Sequence, residues 1–225
     1  MSAYHGRVID AKSVEAEQAV YAKAVEGLLA PYLGERQGGT LLDVGGSTGV
    51  VADALCAAHG LTGTVVDPAP DELARARGRG LRTVAGTIED FDPSADRFDV
   101  VLLCQTLDHV LDASGALAKL HGTLAADGIL FVDVVDFRAA YLRAWNVEEA
   151  TKVDHPYYFT EETIEAMLAR AGLTVVRKDF AADRLHIGYA CRAGKATETL
   201  PTTAWVREQL REIRYVQNAP GPRWA

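Results

Sequence analysis

Cysteine is scarce in this chain. Cys56, Cys104 and Cys191 stand far apart and form no Cys-x-x-Cys pair, which argues against a disulfide framework or a zinc ribbon and suits a reducing cytoplasm. Long apolar runs are lacking as well. Stretches such as Gly128-Ile129-Leu130-Phe131-Val132 fall far short of the roughly 20 residues that cross a bilayer, so no membrane partner is expected. The first residues, Met1 to Arg7, are not followed by the apolar segment of a secretory signal. Positive charge is in deficit. With 23 Lys and Arg against 31 Asp and Glu, a net charge of −8 and a pI near 5.2, the chain lacks the basic face that meets a phosphate backbone. No nucleic-acid partner is expected, and the local cluster Arg75, Arg77, Arg79 and Arg82 reads as the solvated face and exit loop of a helix. Neither repeats nor low-complexity tracts interrupt the chain. What is present is an ordinary globular composition, 48% hydrophobic in 24.2 kDa, enough for one domain with a sizeable core. A small molecule is therefore the expected partner.

The most informative stretch runs Leu41-Leu42-Asp43-Val44-Gly45-Gly46-Ser47-Thr48-Gly49-Val50-Val51. It reads as a buried strand breaking into a glycine-rich turn and then a helix, the arrangement that lets backbone amides approach a ligand at a helix N-terminus. Asp67 closes a second strand, Leu61-Thr62-Gly63-Thr64-Val65-Val66, 18 residues after Gly49. A carboxylate there accepts from both hydroxyls of a ribose, as in dinucleotide folds; as the alternative, Asp67 followed by Pro68 is a helix N-cap. The spacing does not supply Gly-x-Gly-x-x-Gly, no lysine completes a P-loop, and no Tyr-x-x-x-Lys pair marks a nicotinamide oxidoreductase.

Along the chain, strands alternate with helices. Apolar residues Val14, Val20, Tyr21, Val25, Leu28, Leu29 and Tyr32 at helical steps predict a helix from about Asp10 to Leu33 that could lid the ligand, stopped by Gly34. Strands are expected at 41–45, 62–67, 82–86 and 98–104, with helices at 50–59 and 71–78 between them. Then come a helix at 113–125, a turn at Ala126-Asp127-Gly128 and a strand at 129–135. An irregular region, 136–158, is expected to be helical in part around Tyr141 and Trp145. A helix at 161–171, from Thr160 to Gly172, leads to a hairpin of 173–180 and 185–191. The alternation predicts a parallel sheet. A last helix from Thr202 to Val216 carries the stripe Trp205, Val206, Leu210, Ile213 and Val216, ending before Pro220-Gly221-Pro222.

The turn Asp43-x-Gly45-x-Ser47-x-Gly49 resembles the first motif of the class I S-adenosylmethionine-dependent methyltransferases, Asp-x-Gly-x-Gly-x-Gly, with Ser47 in place of the middle glycine. Gly86-Thr87-Ile88-Glu89-Asp90 is similar to that family's third motif, often Gly-Asp-Ala-Glu-Asp, and Cys104-Gln105-Thr106-Leu107-Asp108-His109-Val110 to its Leu-x-His-Val. The element order from about 40 to 192 resembles the family's too. The resemblance implies an α/β fold with a Rossmann-like, doubly wound, mostly parallel seven-stranded sheet, helices on both faces and a C-terminal antiparallel hairpin. The chain reads as one domain: a helical lid over 1–36, a core over 40–192 that the resemblance covers and, outside it, a helical extension over 193–225, packed on the body in preference to serving as a substrate element or dimer arm, so that a homodimer is left open.

What it implies for the cofactor is residue-specific. Backbone from Gly45 and Gly46 through Ser47 to Gly49 meets the methionine part, Asp43 orients the loop or reaches the ammonium through water, and Asp67, beside Pro68, takes the ribose. Thr87 or Glu89 accepts from the adenine amino group while Ile88 presses on the ring; Glu89 and Asp90 are otherwise a solvated turn. The Cys104 carbonyl receives the ammonium, with Gln105 near the sulfonium. His109 is a candidate base, with a packed, hydrogen-bonded structural imidazole as the preferred reading. His155, in the aromatic loop Val153-Asp154-His155-Pro156-Tyr157-Tyr158-Phe159, is the stronger base candidate. Tyr141, Trp145, Tyr157 and Tyr158 are expected to wall an acceptor pocket or else close the core. Asp133 and Asp136 are open to a polar acceptor or a metal ion, and no metal is expected. The implied activity is methylation of a small metabolite, with oxygen the expected acceptor atom. Decarboxylation, cyclisation or carboxyl transfer with the same cofactor, and a non-catalytic partner-binding role, are the alternatives.

Overall fold

Apolar runs that lack a helical period, such as 41–44 and 100–103, lie in one sheet. The computed structural model describes residues 3–4, 7–8, 11–34, 38–93, 96–195 and 201–219, with side chains from residue 15 onward. The expectations for Asp10, for the side chain of Val14 and for Pro220-Gly221-Pro222 lie outside the described residues. In chain order the elements are β1 (Ala3–Tyr4), β2 (Arg7–Val8), α1 (Ala11–Leu33), β3 (Thr40–Val44), α2 (Val50–His59), β4 (Thr62–Asp67), α3 (Pro70–Gly78), β5 (Arg82–Ala85) and β6 (Phe98–Leu103). They continue as α4 (Ala113–Thr123), β7 (Leu124–Val135), α5 (Phe137–Ala144), α6 (Val147–Ala150), α7 (Glu161–Arg170), β8 (Leu173–Phe180), β9 (His186–Ala193) and α8 (Thr203–Asn218). Strands β3 to β9 form a seven-stranded sheet in the order β5-β4-β3-β6-β7-β9-β8, and β1 and β2 pair as a separate ribbon. The sheet is mostly parallel and ends in the antiparallel hairpin of β8 and β9. Among the described residues no helix is long and apolar enough to cross a membrane.

The chain divides into two units, Met1–Cys104 with Thr123–Phe131, and Gln105–Gly122 with Val132–Ala225. In the first, β3 is buried from Leu41 to Val44 because it runs parallel to both β4 and β6, with Leu42 opposite Thr64 and Val101. Helix α2 buries Val51, Ala52 and Leu55 and stops at Gly60, whose φ of +64° suits glycine. Helix α1 buries Ala22, Val25, Leu29 and Leu33 at steps of three and four.

The turn expected at Ala126-Asp127-Gly128 is instead extended backbone at the start of β7. Gly128 is required there by a close approach, since a Cβ would lie 2.9 Å from the carbonyl oxygen of Phe98.

In the second unit, Thr160 caps α7 in a reciprocal box with Thr163, as the sequence suggests. The C-terminal helix α8 departs from expectation along its stripe. Val216 is buried against Tyr141 and Val147, with Ile213 packed beside them, whereas Val206 and Leu210 are exposed, Leu210 by 52%.

Candidate functional site

In the first unit, the turn after β3 gathers the motif residues around two carboxylates. Asp43 is 1% exposed, and among the described residues neither of its oxygens has a hydrogen-bond partner. Burial, and then the charge of Asp67, push its pKa up to about 7. Gly46 leaves that carboxyl its space, since a Cβ there would lie 2.5 Å from Oδ2. Gly45 and Gly49 take φ of +72° and +74°, and a Cβ on Gly49 would meet Leu81 at 2.5 Å.

Ser47 has a φ of +51°, the left-handed conformation that explains why glycine is usual at this point of the resembling motif. Its N–H donates to Asp67 Oδ2 at 3.0 Å and its hydroxyl to Glu72 at 3.2 Å. Asp67 is thus a loop brace. Its other oxygen accepts from the Ala69 N–H at 2.8 Å, while the N-cap of α3 is Ala69, which makes no side-chain cap, so the N-cap alternative for Asp67 is not what forms. Each carboxylate oxygen keeps a second lone pair for a ligand hydroxyl.

Helix α1 reaches this turn. Gln18 accepts from Thr48 Oγ1 at 3.2 Å, and Arg79 donates to the Thr48 carbonyl at 3.1 Å while pairing with Glu15 at 3.2 Å and Asp53 at 3.6 Å. Arg79 therefore leaves the solvated set in which the sequence placed it. Farther on, Pro68, Thr87 and Glu89 are exposed, Ile88 is buried, and the Thr87 hydroxyl donates to Asp90 at 3.1 Å. Cys104 is half-buried at the end of this unit.

In the second unit the chemistry collects around His155. Its Nδ1 lies 2.9 Å from Asp108 Oδ2, with both residues buried, and among the described residues its Nε2 has no partner. Burial holds the imidazole pKa below its ordinary value, against the opposing pull of Asp108 and with the help of His109. His109 packs edge-on against the His155 ring, centroids 4.4 Å apart, and its own Nδ1 is 3.2 Å from the Asp154 carbonyl oxygen. One donor atom from each of Asp108, His109 and His155 lies within 4.8 Å of the others, a set the sequence did not anticipate.

A cavity of about 190 Å³ opens beside this pair. Asp108 and His155 line it together with the aromatic residues Phe137, Tyr157, Tyr158 and Phe159 and the polar residues Glu149, Lys152 and His186. Tyr157 is fixed by donating to the Leu111 carbonyl at 2.9 Å, and Tyr158 by its contacts with the backbone of Lys152. Tyr141 and Trp145 do not line it. They join an apolar cluster with Val147 and Val216, where the Tyr141 hydroxyl donates to Glu212 at 2.6 Å and Glu212 takes Arg138 in a fork at 2.9 and 2.8 Å.

The acidic pair at the end of β7 is used by the chain itself. Asp133 accepts from the Gln105 N–H at 2.7 Å, holding Gln105 at a φ of +48°, and Asp136 caps α5 through the Arg138 N–H.

Residues 14–178 match the methyltransferase domain family. The chain belongs to that family. Among curated proteins, it is similar to ubiquinone biosynthesis O-methyltransferases. That of Methylocella silvestris is 33% identical over 101 residues, 42% of this chain and 39% of the relative. That of Methylobacterium nodulans is 26% identical over 153 residues, 61% of this chain and 60% of the relative. The chain thus spans from about two fifths to three fifths of the length of the curated relatives it matches. Among solved structures, the magnesium protoporphyrin IX methyltransferase of Synechocystis PCC 6803 with bound S-adenosylhomocysteine has a TM-score of 0.66 at 14% identity, covering 83% of this chain and 89% of that one. The 1,6-didemethyltoxoflavin-N1-methyltransferase of Burkholderia thailandensis has a TM-score of 0.59 at 22% identity, covering 78% of each chain.

Within this methyltransferase domain, the candidate site residue that the sequence does not single out is Asp108. It stands in the quoted stretch Cys104 to Val110, but its partner His155 comes from a distant loop, and no local period links the two.

Proposed function

We propose that this methyltransferase domain binds S-adenosylmethionine and directs methylation of an oxygen on a small, flat acceptor. The residues of the first unit fit such a cofactor. The buried Asp43 carboxyl lacks any donor among the described residues and is charged at the cost of desolvation, so a cationic ligand group near it, direct or through water, is favoured. The spare lone pairs of Asp67 suit the ribose hydroxyls of the same molecule. Thr87 or Glu89, with Ile88, and the carbonyl of Cys104 are the candidates for adenine and ammonium.

A bound sulfonium supplies a methyl group that is already electrophilic, so the protein's work is alignment and removal of the acceptor's proton. The observation that carries the reading is the Asp108–His155 pair on the wall of an aromatic cavity. Asp108 keeps the ring hydrogen on Nδ1, which leaves Nε2 with its lone pair, and the lowered pKa keeps the ring neutral near neutral pH. Nε2 is then the atom that takes a hydroxyl proton. Phe137, Tyr157, Tyr158 and Phe159 favour a ring-bearing acceptor, and the volume of about 190 Å³ limits its size. Oxygen rather than nitrogen is preferred because the curated relatives are named O-methyltransferases, although the toxoflavin-related neighbour is an N-methyltransferase. A role in small-molecule biosynthesis in the cytoplasm accords with the composition.

The test is a panel of small phenols, carboxylic acids and amines incubated with the labelled cofactor. Transfer to a hydroxyl that is lost in His155→Ala supports the reading. Transfer to amines alone, equally fast in His155→Ala, overturns it.

A further inference from the structure

The cluster of Asp108, His109 and His155 has more coordinating atoms than a proton-transfer pair uses. One donor atom from each residue lies within 4.8 Å of the others, and Asp108 and His155 face the cavity. We propose that these three residues form a binding site for a divalent transition ion of the zinc type. Two imidazoles and one carboxylate are a donor set that such ions take, with positions left open toward a cavity.

Three observations support it independently of the chemistry proposed above. The 2.9 Å between His155 Nδ1 and Asp108 Oδ2 is a hydrogen bond that keeps the hydrogen on Nδ1 and leaves Nε2 as the ligand atom of that ring. The Asp154 carbonyl oxygen, 3.2 Å from His109 Nδ1, keeps the hydrogen on that nitrogen and leaves Nε2 bare, the support a metal-bound histidine receives. Asp108 Oδ1 and His155 Nε2 are both buried without partners among the described residues, and a cation meets that unspent capacity.

An ion seated here takes the electron pair that His155 otherwise offers to a hydroxyl proton. Occupancy therefore switches turnover off, a consequence that rests on the proposed function, whereas binding does not.

The experiment uses the full chain without cofactor or acceptor, titrated with Zn²⁺ by calorimetry and with Co²⁺ by visible absorption. The expected result is one ion per chain with a cobalt spectrum free of a thiolate charge-transfer band. His109→Ala and His155→Gln should each weaken binding by more than the roughly 10- to 100-fold that loss of a supporting contact costs. His109 is exposed, so His109→Ala keeps the fold and stays informative if His155→Gln does not. No stoichiometric binding, binding untouched by His109→Ala, or a thiolate band pointing to Cys56 or Cys104 would overturn the site. If the ion binds as expected and turnover does not fall with occupancy, the site stands and His155 loses its place as the base.

Discussion

His155 Nδ1 lies 2.9 Å from Asp108 Oδ2, a buried acid–imidazole pair joining the loop after α6 to the loop after β6. If Nε2 of that ring takes the acceptor proton, His155→Ala lowers kcat at least about tenfold and leaves cofactor affinity nearly unchanged. Asp108→Asn, which alters the tautomer rather than the ring, should lower kcat in the same direction with an unchanged cofactor affinity. Steady-state kinetics alongside calorimetry with S-adenosylhomocysteine reads both, and an unaltered kcat in the two variants would remove the pair from catalysis.

Asp43 makes a prediction about pH. Its folded pKa of about 7 lies above the 3.8 of the unfolded chain, so between those values the folded state alone retains the proton. Its contribution to stability is therefore lost as pH rises through that window, by up to about 1.4 kcal/mol per pH unit, and is constant above it. Asp43→Asn has no such group. Denaturant melts of the two proteins should draw apart from pH 4 to pH 7 in favour of the variant; a constant difference would mean that Asp43 is not desolvated.

Ser47 sits at a φ of +51°, where a side chain is strained. Ser47→Gly removes that strain and loses the contact with Glu72, so stability should change by less than about 1 kcal/mol. Ser47→Val places a β-branched residue in the left-handed region and should cost about 1–2 kcal/mol or more. Urea denaturation measures both, and equal effects would contradict the backbone account.

Glu212 ties α8 to α5 through Arg138 and the buried Tyr141 hydroxyl, and α5 supplies Phe137 and Ala140 to the cavity. Glu212→Ala leaves that hydroxyl unpaired and should destabilise by about 1–3 kcal/mol. The KM for the acceptor should rise more than the KM for the cofactor. A change in cofactor KM alone would mean that α8 serves a different surface.

The strand and helix alternation was legible because apolar runs and helical periods differ in kind, and caps such as Thr160 are local. What escaped depended on contacts between distant segments. Arg79 looks like one of four solvated arginines until Thr48, Glu15 and Asp53 are seen around it. Gly128 looks like a turn residue until the Phe98 carbonyl is found against it. Asp108 precedes a histidine in the chain and pairs with a different one. Val206 and Leu210 carry the right period and still remain exposed, since periodicity marks a face without naming what covers it.

On the proposed function, the turn around Asp43 and Gly46 holds a sulfonium nucleoside. Isothermal calorimetry of the full chain with S-adenosylmethionine, S-adenosylhomocysteine and NAD tests it most directly. One-to-one binding of the first two, weakened in Gly46→Ala, and no binding of NAD is the predicted result. Binding of NAD with no heat from either sulfur compound would contradict it.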